Sequence, residues 1–290
     1  MTPAPPATGS GREHPATDSG GDALRASRGF EWDAAAYAAN SASQLAWARE
    51  LISKLSLAGS ERILDLGCGD GKISAELARA LPGGSVTGID ASPQMIRFAR
   101  AAFPARTLPN LQFRVMDARE IRLPSVFDIV FSNAALHWVD DHRAFLQGAS
   151  RCLRPGGRLL VSCGGKGNAH DVFVSFRAEM RLKPWRPFFR KIEKPYFFFT
   201  PAAYELWLPW FGFTAREIRL ADKDMALAGA AGLAAWLRTT WHPYIQRVPE
   251  QMREDFIAAV ASRYVARHPL DRGGRAHVCM VRLEIDAMKN

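Results

Sequence analysis

Short apolar segments alternate with amphipathic segments through the middle of the chain, and this alternation constrains the fold more than any other feature. Five segments have the apolar character of buried strands, and they read RILDL, SVTGID, LQFRVM, FDIVFS and GRLLVSC. Behind the first, Ile73, Leu77 and Leu81 recur at helical spacing. Behind the second, Ser92 and Pro93 form a typical helix start. Strands joined through helices run parallel, so the sequence predicts an α/β fold whose sheet is covered on both faces.

The pattern changes towards both ends of the chain. An amphipathic helix is expected from about residue 41, after a serine that can cap it. Beyond Gly164 the alternation stops, and residues 165–210 form an aromatic, basic and proline-rich insertion. Two more strands are predicted after it, which gives a mostly parallel sheet of seven strands. These strands lie at 213–220 and 277–285, with helices between them at about 227–238 and 250–267.

Composition narrows the class of protein further. Residues 1–28 consist mainly of Pro, Gly, Ala, Ser and Thr, so we expect a flexible tail followed by one domain at 29–290. The tail lacks the basic and apolar regions of a secretion signal, and no apolar run approaches the ~20 residues that span a bilayer. The four cysteines are irregularly spaced, which suits a reduced, cytoplasmic protein better than a disulfide framework or a metal site.

The net charge is +9, and much of the excess lies in one segment. Residues 181–194, RLKPWRPFFRKIEK, carry six basic side chains and one acidic side chain, interleaved with aromatic residues. Three interpretations are open at this point: a solvated surface of the insertion, a pocket wall or lid that attracts an anionic substrate, and a surface for nucleic acid or a membrane.

A turn with three glycines follows the first predicted strand. It reads DLGCGDG over residues 65–71 and stands at a carboxyl end, where parallel α/β sheets bind ligands. A Walker A loop is excluded, because Lys72 is followed by isoleucine and leucine replaces the first glycine of that motif. A dinucleotide fingerprint fits poorly, because Gly67, Gly69 and Gly71 form G-x-G-x-G rather than G-x-G-x-x-G.

The pattern D-x-G-x-G-x-G resembles the first motif of class I S-adenosylmethionine-dependent methyltransferases, and polar residues also follow the next three strands. The resemblance implies S-adenosylmethionine as cofactor, with Asp65 near its ammonium group and Asp90 at its ribose hydroxyls. It further implies Asp117 at the adenine and Asn133 under the methionine moiety. The alternative is that the aspartates only cap helices and turns. The cofactor residues that the resemblance implies are Tyr37, Gln44, Asp65, Gly67, Gly69, Asp90, Ala91, Asp117, Ala118 and Asn133.

Two segments resemble the small-molecule carboxyl methyltransferases of the trans-aconitate, malonyl-carrier and juvenile-hormone-acid types. One contains Tyr37, Ser41, Gln44 and Trp47, and the other reads NAALHWVDDHRAFLQGASRCLRPGG after the fourth strand. The resemblance implies a Rossmann-like fold with an N-terminal helical lid. It also implies a small, anionic acceptor whose carboxylate is held by Gln44 and Trp138.

The residues around this tryptophan are assigned with alternatives. A carboxylate acceptor is ionised at neutral pH and needs no base. Two roles stay open for His137: a hydrogen-bond donor or general base toward the acceptor, or a packed histidine of the turn. Asp140 and Asp141 are expected to begin the next helix, and His142 to be structural. The candidate catalytic set is therefore Gln44, His137 and Trp138, and no metal is expected.

Two other functions compete with this prediction. A nucleic-acid methyltransferase or binding protein would account for the charge, but NAALHW stands where such enzymes carry an N/D-P-P-Y/F motif, and nucleic acid is not expected as a partner. A non-catalytic sensor of the cofactor would not need the polar residues on the acceptor side. The sequence therefore predicts an enzyme that methylates a small molecule, with an unknown acceptor and oligomeric state.

Overall fold

The computed structural model describes residues 42–192 and 194–290, with side chains for 45–192 and 194–290. The predicted tail at 1–28, Tyr37 and the side chain of Gln44 lie outside the described residues. The strands are β1 (Arg62–Leu66), β2 (Ser85–Asp90), β3 (Leu111–Val115), β4 (Phe127–Asn133), β5 (Leu153–Gly164), β6 (Phe213–Leu227) and β7 (Ala276–Lys289). The described α-helices are α1 (Ala42–Ser53), α2 (Lys72–Arg79), α3 (Pro93–Ala102), α4 (His142–Cys152), α5 (His170–Glu179), α6 (Pro201–Trp210), α7 (Gly229–Thr240), α8 (His242–Ile245) and α9 (Arg253–Arg267).

The seven strands form one sheet in the order β3-β2-β1-β4-β5-β7-β6. All neighbouring strands are parallel except β7, which is antiparallel to both β5 and β6. The prediction of a mostly parallel, seven-stranded α/β sheet is thus confirmed. From β1 the chain proceeds outward to β2 and β3, whereas β4 returns to the other side of β1. In open α/β sheets, ligands bind outside the carboxyl ends of the strands at such a reversal.

Both faces of the inner strands β1, β2 and β4 are buried, which explains the continuous apolar character of these strands. On β1, Leu64 packs in one core with α4 and α6, and Ile63 packs in another with α1, α2 and α3. Helix α3 begins as predicted, because the Ser92 hydroxyl accepts a hydrogen bond from the backbone N–H of Met95 at 3.3 Å and Pro93 occupies the first helical position.

A third core lies on the far part of the antiparallel strand pair β6 and β7. This pair extends past the end of β5, whose last residue, Gly164, is opposite Arg282. Helices α5, α7, α8 and α9 pack there against Met225 of β6 and against Val278 and Met280 of β7. We call these four helices the helical cap. The cap thus stands above the carboxyl ends of the parallel strands, where the sequence placed the candidate site.

The segment 165–210 contains two helices that its composition did not indicate. Helix α5 belongs to the helical cap, whereas α6 buries Tyr204 and Leu208 in the core of the main sheet. The six basic residues between 181 and 194 are all exposed, while Trp185 is buried against Phe256 of α9, with ring centroids 5.2 Å apart. The structure therefore supports the interpretation of this basic segment as a solvated surface.

Strands β6 and β7 are longer than predicted. Strand β6 is an edge strand, and its exposed charges hide its β-pattern. Asp222, Lys223 and Asp224 lie within β6, which continues to Leu227. No helix in the described part of the chain combines the length and the apolar character that a bilayer crossing requires.

Candidate active site

The glycine loop after β1 folds so that its backbone reaches the end of β2. The N–H groups of Gly67 and Cys68 donate to the carbonyl of Ile89, at 2.7 and 3.0 Å. Gly67, Gly69 and Gly71 have φ angles of +71°, +53° and +82°, a region that L side chains disfavour. A Cβ atom on Gly69 would meet nothing within 4 Å. The loop therefore presents open backbone at Gly69, as a cofactor cradle requires.

Asp90 ends β2 with its carboxylate against this loop. Its Oδ2 accepts a hydrogen bond from the Gly69 N–H at 3.0 Å, and its Oδ1 accepts one from the Ser92 N–H at 2.8 Å. Burial nevertheless raises the pKa of this carboxyl. A partly buried carboxylate with remaining lone pairs suits a ligand that brings hydroxyl hydrogens, which fits the predicted contact with a ribose.

Asp65, near the end of β1, is almost fully buried, and the Ser74 hydroxyl donates to its Oδ2 at 2.5 Å. Burial, together with the negative charges of Asp90 and Asp70, raises the pKa of Asp65 to about 7. A cation beside these carboxylates would lower that pKa and stabilise the ionised form. These carboxylate acceptors therefore fit the ammonium group of S-adenosylmethionine.

Asp117, after β3, is already engaged by the protein. Its carboxylate accepts hydrogen bonds from the Arg119 N–H at 2.8 Å and from the Arg119 guanidinium at 2.8 and 3.1 Å. Arg119 also pairs with Asp140 at 3.0 Å. At this position the structure shows a capping aspartate, and its role toward an adenine stays a prediction. Ala91 and Ala118 directly follow Asp90 and Asp117, at the same edge of the sheet.

The chain turns sharply where β4 ends. Asn133, the last residue of β4, is buried, and Ala134 has a φ of +59°. Residues Leu136–Trp138 then form a 3₁₀ turn. We call 134–138 the β4 turn, and it carries both predicted acceptor residues of this region. Ala135 fills the space beside Gly67, so the β4 turn and the glycine loop are in direct contact.

His137 is held in one tautomer by the backbone. Its Nδ1 accepts a hydrogen bond from the Gly164 N–H at 3.3 Å, which leaves the ring proton of the neutral imidazole on Nε2. Burial and the positive charge of Arg282 lower the pKa of His137 to about 3. The side chain is therefore neutral at pH 7, and this geometry favours hydrogen-bond donation over general base catalysis.

A cavity of about 60 Å³ lies between the β4 turn and the helical cap. Its wall is mainly aromatic, and within it the ring centroids of Trp138 and Tyr196 are 4.7 Å apart. Helix α1, the predicted lid, contributes Trp47. The other aromatic rings of the wall are Phe173, Phe198, Trp236 and Trp241. They come from the helical cap and the insertion. The sequence analysis had connected only the basic segment 181–194 of the insertion with a pocket, and none of these four rings lies in it.

Arg282 is a site residue that the sequence analysis missed. It lies on β7 opposite the end of β5, lines the cavity and is only 2% exposed. Its guanidinium donates to the carbonyl of Ser162 at 2.8 Å and lies 5.6 Å from the ring centroid of Trp47, within range of a cation–π interaction. The sequence does carry one signal for this residue: Arg282 is a cation inside the apolar strand HVCMVRLEI. A buried cation is rare in such a strand and therefore indicates a special role.

Two tryptophans of the helical cap have buried donors. Trp236 and Trp241 are 4% and 3% exposed, and neither indole N–H has a hydrogen-bond acceptor among the described residues. A buried donor without an acceptor is unfavourable. Because both residues line the cavity, a ligand oxygen is a natural partner for them.

Two neighbours of the β4 turn have structural roles, as the sequence suggested. Asp141 caps α4 by accepting hydrogen bonds from the N–H groups of Arg143 and Ala144, both at 3.0 Å. His142 is buried, with Nδ1 2.6 Å from the Tyr204 hydroxyl and Nε2 2.8 Å from the Leu136 carbonyl. These contacts fix the start of α4 below the cavity-lining turn.

Comparison with known proteins gives a consistent picture. The family described as "Methyltransferase domain" matches residues 64–161. The trans-aconitate 2-methyltransferase of Methylobacterium nodulans is 29% identical over 264 residues, which cover 89% of this chain and 98% of that protein. The trans-aconitate 2-methyltransferase of Deinococcus radiodurans is 33% identical over 217 residues, which cover 73% of this chain and 81% of that protein.

The fold also matches solved structures. The crystal structure of the YcgJ protein from Bacillus subtilis has a TM-score of 0.60 at 17% sequence identity, covering 84% of this chain and 97% of that one. At this identity the match concerns the fold alone.

Proposed function

Because the chain belongs to the class I S-adenosylmethionine-dependent methyltransferases, among relatives of the trans-aconitate 2-methyltransferases, we propose that it methylates a carboxylate oxygen of a small, anionic molecule. The protein is an enzyme, and S-adenosylmethionine is its cofactor. The carboxylate assignment rests on one observation, the buried Arg282 in the cavity that Trp138 also lines. A cation attracts an anion more strongly there than at the surface, because the effective dielectric constant is lower.

On the cofactor side, the glycine loop and the carboxyl ends of β1 to β4 form the proposed site. Asp65 takes the ammonium group and Asp90 accepts hydrogen bonds from the ribose hydroxyls. The support is the raised pKa of both carboxyls and the open backbone at Gly69. The remaining proposed residues are Tyr37, Gln44, Gly67, Ala91, Asp117, Ala118 and Asn133.

On the acceptor side, the protein has to orient the substrate rather than activate it. When bound, S-adenosylmethionine supplies a sulfonium methyl group that a carboxylate oxygen can take directly, with the bonding electron pair left on sulfur and no proton transferred. Arg282 and the Nε2–H of His137 would hold the carboxylate, and Trp138 would form the apolar wall beside it. Fixing a reactant in this way can lower a barrier by ~7–11 kcal/mol.

The experiment uses S-adenosylmethionine with a labelled methyl group and a panel of carboxylic acids, alcohols, amines and RNA. Methyl esters release the label as methanol in mild base, whereas ethers, methylated amines and methylated RNA retain it. Base-labile products from carboxylic acids support the proposal. A panel in which only base-stable products form would overturn it, and labelled RNA would favour a nucleic-acid substrate bound by the exposed basic residues.

A pair of arginine variants tests the observation behind the proposal. Arg282→Met should lower the kcat/KM for the acceptor by about ten- to hundredfold, the range for losing a charged hydrogen bond, and should leave the Kd of the cofactor unchanged. Arg122→Met is the matched control, because the Arg122 side chain is 82% exposed on the surface. Equal kinetics in both variants would remove Arg282 from the acceptor site.

Two predictions about the whole chain remain part of the proposal. They are the single methyltransferase domain at 29–290 with a flexible tail before it, and the cytoplasmic location of the protein. The first is supported by the continuity of the sheet, because β1 to β7 span 62–289.

A further inference from the structure

The charge on the cavity wall limits the kind of acid that fits. Among the described residues that line the cavity, Arg282 is the only one with a formal charge at pH 7. His137 lines it as well, but its pKa of about 3 keeps it neutral. Moving a carboxylate from water into such a wall is unfavourable unless a cation or several donors compensate it. Among its described residues, the wall can compensate one carboxylate well and has no second cation for another.

The rest of the wall suits an apolar body. Six aromatic rings besides Trp138 surround the space, namely Trp47, Phe173, Tyr196, Phe198, Trp236 and Trp241. Tyr196 and Phe198 are stacked nearly parallel, with centroids 5.9 Å apart and an interplanar angle of 7°. Aromatic faces of this kind favour planar, unsaturated or aromatic groups over hydrated anions.

The polar groups that remain are neutral. The indole N–H groups of Trp236 and Trp241 can donate to an uncharged oxygen, such as a ketone or hydroxyl on the acceptor. The basic residues between 181 and 194, which could have served a second carboxylate, are exposed and do not line the cavity.

From these observations we infer that the acceptor is a monocarboxylic acid with a planar, unsaturated or aromatic body, and not a tricarboxylate such as trans-aconitate. This inference rests on the proposed carboxyl methylation and specifies its substrate class. The single carboxylate lies at Arg282 and the β4 turn, while the body lies among the rings of the helical cap. The ester product is uncharged, which favours its release from the only cation of the described wall.

The test compares matched acids with the full-length enzyme and S-adenosylmethionine. The first pair is trans-3-phenylpropenoic acid and its para-carboxy derivative, which differ by one carboxylate on the same body, and trans-aconitate is the third substrate. The monocarboxylate should have a kcat/KM at least tenfold higher than either of the others. A higher kcat/KM for trans-aconitate would overturn the inference and leave carboxyl methylation intact. If no carboxylic acid, these or others, gave a methyl ester, the proposed function itself would be overturned.

A charge added to the wall gives an independent test. Thr240 lines the cavity at the end of α7, and its backbone carbonyl, rather than its side chain, accepts the hydrogen bond from the Tyr196 hydroxyl at 3.0 Å. Thr240→Lys should therefore keep this contact and supply a second cation. The preference for the monocarboxylate over its para-carboxy derivative should fall at least fivefold in this variant.

Thr240→Gln is the matched control, because it adds a long polar side chain without charge. It should keep the preference of the wild-type enzyme. Melting curves of both variants check that they fold, and the wild-type comparison stands on its own if either does not. An unchanged preference in a folded Thr240→Lys variant would contradict selection by wall charge.

Discussion

A Cβ atom on Gly67 would lie 2.1 Å from the Cβ of Ala135, so the glycine loop and the β4 turn meet where only a glycine fits. The loop is the proposed cofactor cradle, and the β4 turn carries His137 and Trp138. This contact fixes the distance between the two halves of the site. In a transfer between two bound molecules, that distance decides how well the reacting atoms align.

Replacing Gly67 with alanine should therefore damage both stability and catalysis. The positive φ and the overlap with Ala135 together should lower the free energy of unfolding by ~2–4 kcal/mol. Gly69→Ala is the matched control, because a Cβ there meets nothing within 4 Å, and only the backbone strain of ~1–2 kcal/mol applies. Urea unfolding of both variants measures the difference. Equal losses would show that the contact with Ala135 is unimportant.

Replacing Asp90 with alanine should weaken S-adenosylmethionine binding by ~1.5–3 kcal/mol, the range for hydrogen bonds to a charged group. Calorimetric titration measures this change. Asp128→Ala is the control, because Asp128 also accepts a backbone hydrogen bond, from the Arg62 N–H at 2.6 Å, but at the other end of the strands. Cofactor affinity that survives in Asp90→Ala would exclude Asp90 from the site.

The raised pKa of Asp65 predicts a pH dependence of stability. Between pH 3.8 and about 7, the folded protein keeps a proton on Asp65 that the unfolded chain has released. The contribution of Asp65 to the free energy of unfolding should therefore fall as pH rises through this window and stay constant above it. Denaturant unfolding of wild type and Asp65→Asn at several pH values isolates the contribution. A difference between the two proteins that does not vary with pH would mean that the pKa of Asp65 is not raised.

Cofactor binding should release the same proton from Asp65. An ammonium group favours the ionised form of Asp65, so binding near pH 6.5 should release a proton, and affinity should rise as pH increases toward about 7. Titration calorimetry in two buffers with different ionisation enthalpies counts the proton. Asp65→Asn should release none from this position.

Replacing Trp138 with phenylalanine should raise the KM for the acceptor and leave the Kd of the cofactor unchanged. Phenylalanine keeps most of the apolar wall beside Tyr196 but removes the indole N–H, which can donate to an anionic oxygen. Steady-state kinetics on an active acceptor measure the effect. Trp210→Phe, on the 60% exposed Trp210 of α6, is the control, and identical KM values in both variants would assign Trp138 a packing role.

The parts of the fold that could be predicted depend on local signals. The start of α3 is marked by Ser92 and Pro93, and the strand ends are marked by polar residues that follow apolar runs. These signals act over a few residues, so the sequence alone displays them. The same local argument predicted the positions of Asp65 and Asp90. It did not predict that Asp117 would be paired with Arg119, because a capping role and a ligand role use the same residue type.

The acceptor cavity could not be predicted, because distant segments assemble it. Trp47, Tyr196 and Arg282 belong to α1, the insertion and β7, and only the tertiary fold brings them together. Arg282 stands in a segment that reads as an ordinary strand, and strand periodicity does not tell which face meets a cavity. The charges of the basic segment 181–194 suggested a pocket, but they are exposed. The charged residue that lies in the cavity wall is the buried Arg282 of β7.

The length of the antiparallel pair β6 and β7 has a consequence for how the protein unfolds. On β7, Val278 and Met280 belong to the core of the helical cap, while Leu283 and Ile285 belong to the core of the main sheet. One continuous strand therefore forms part of both. The cap cannot lose its order without exposing part of this inner strand of the sheet, so the two cores should melt in a single cooperative transition. The acceptor cavity between them should then persist until global unfolding, and hydrogen exchange in α7 and β5 should report the same opening free energy.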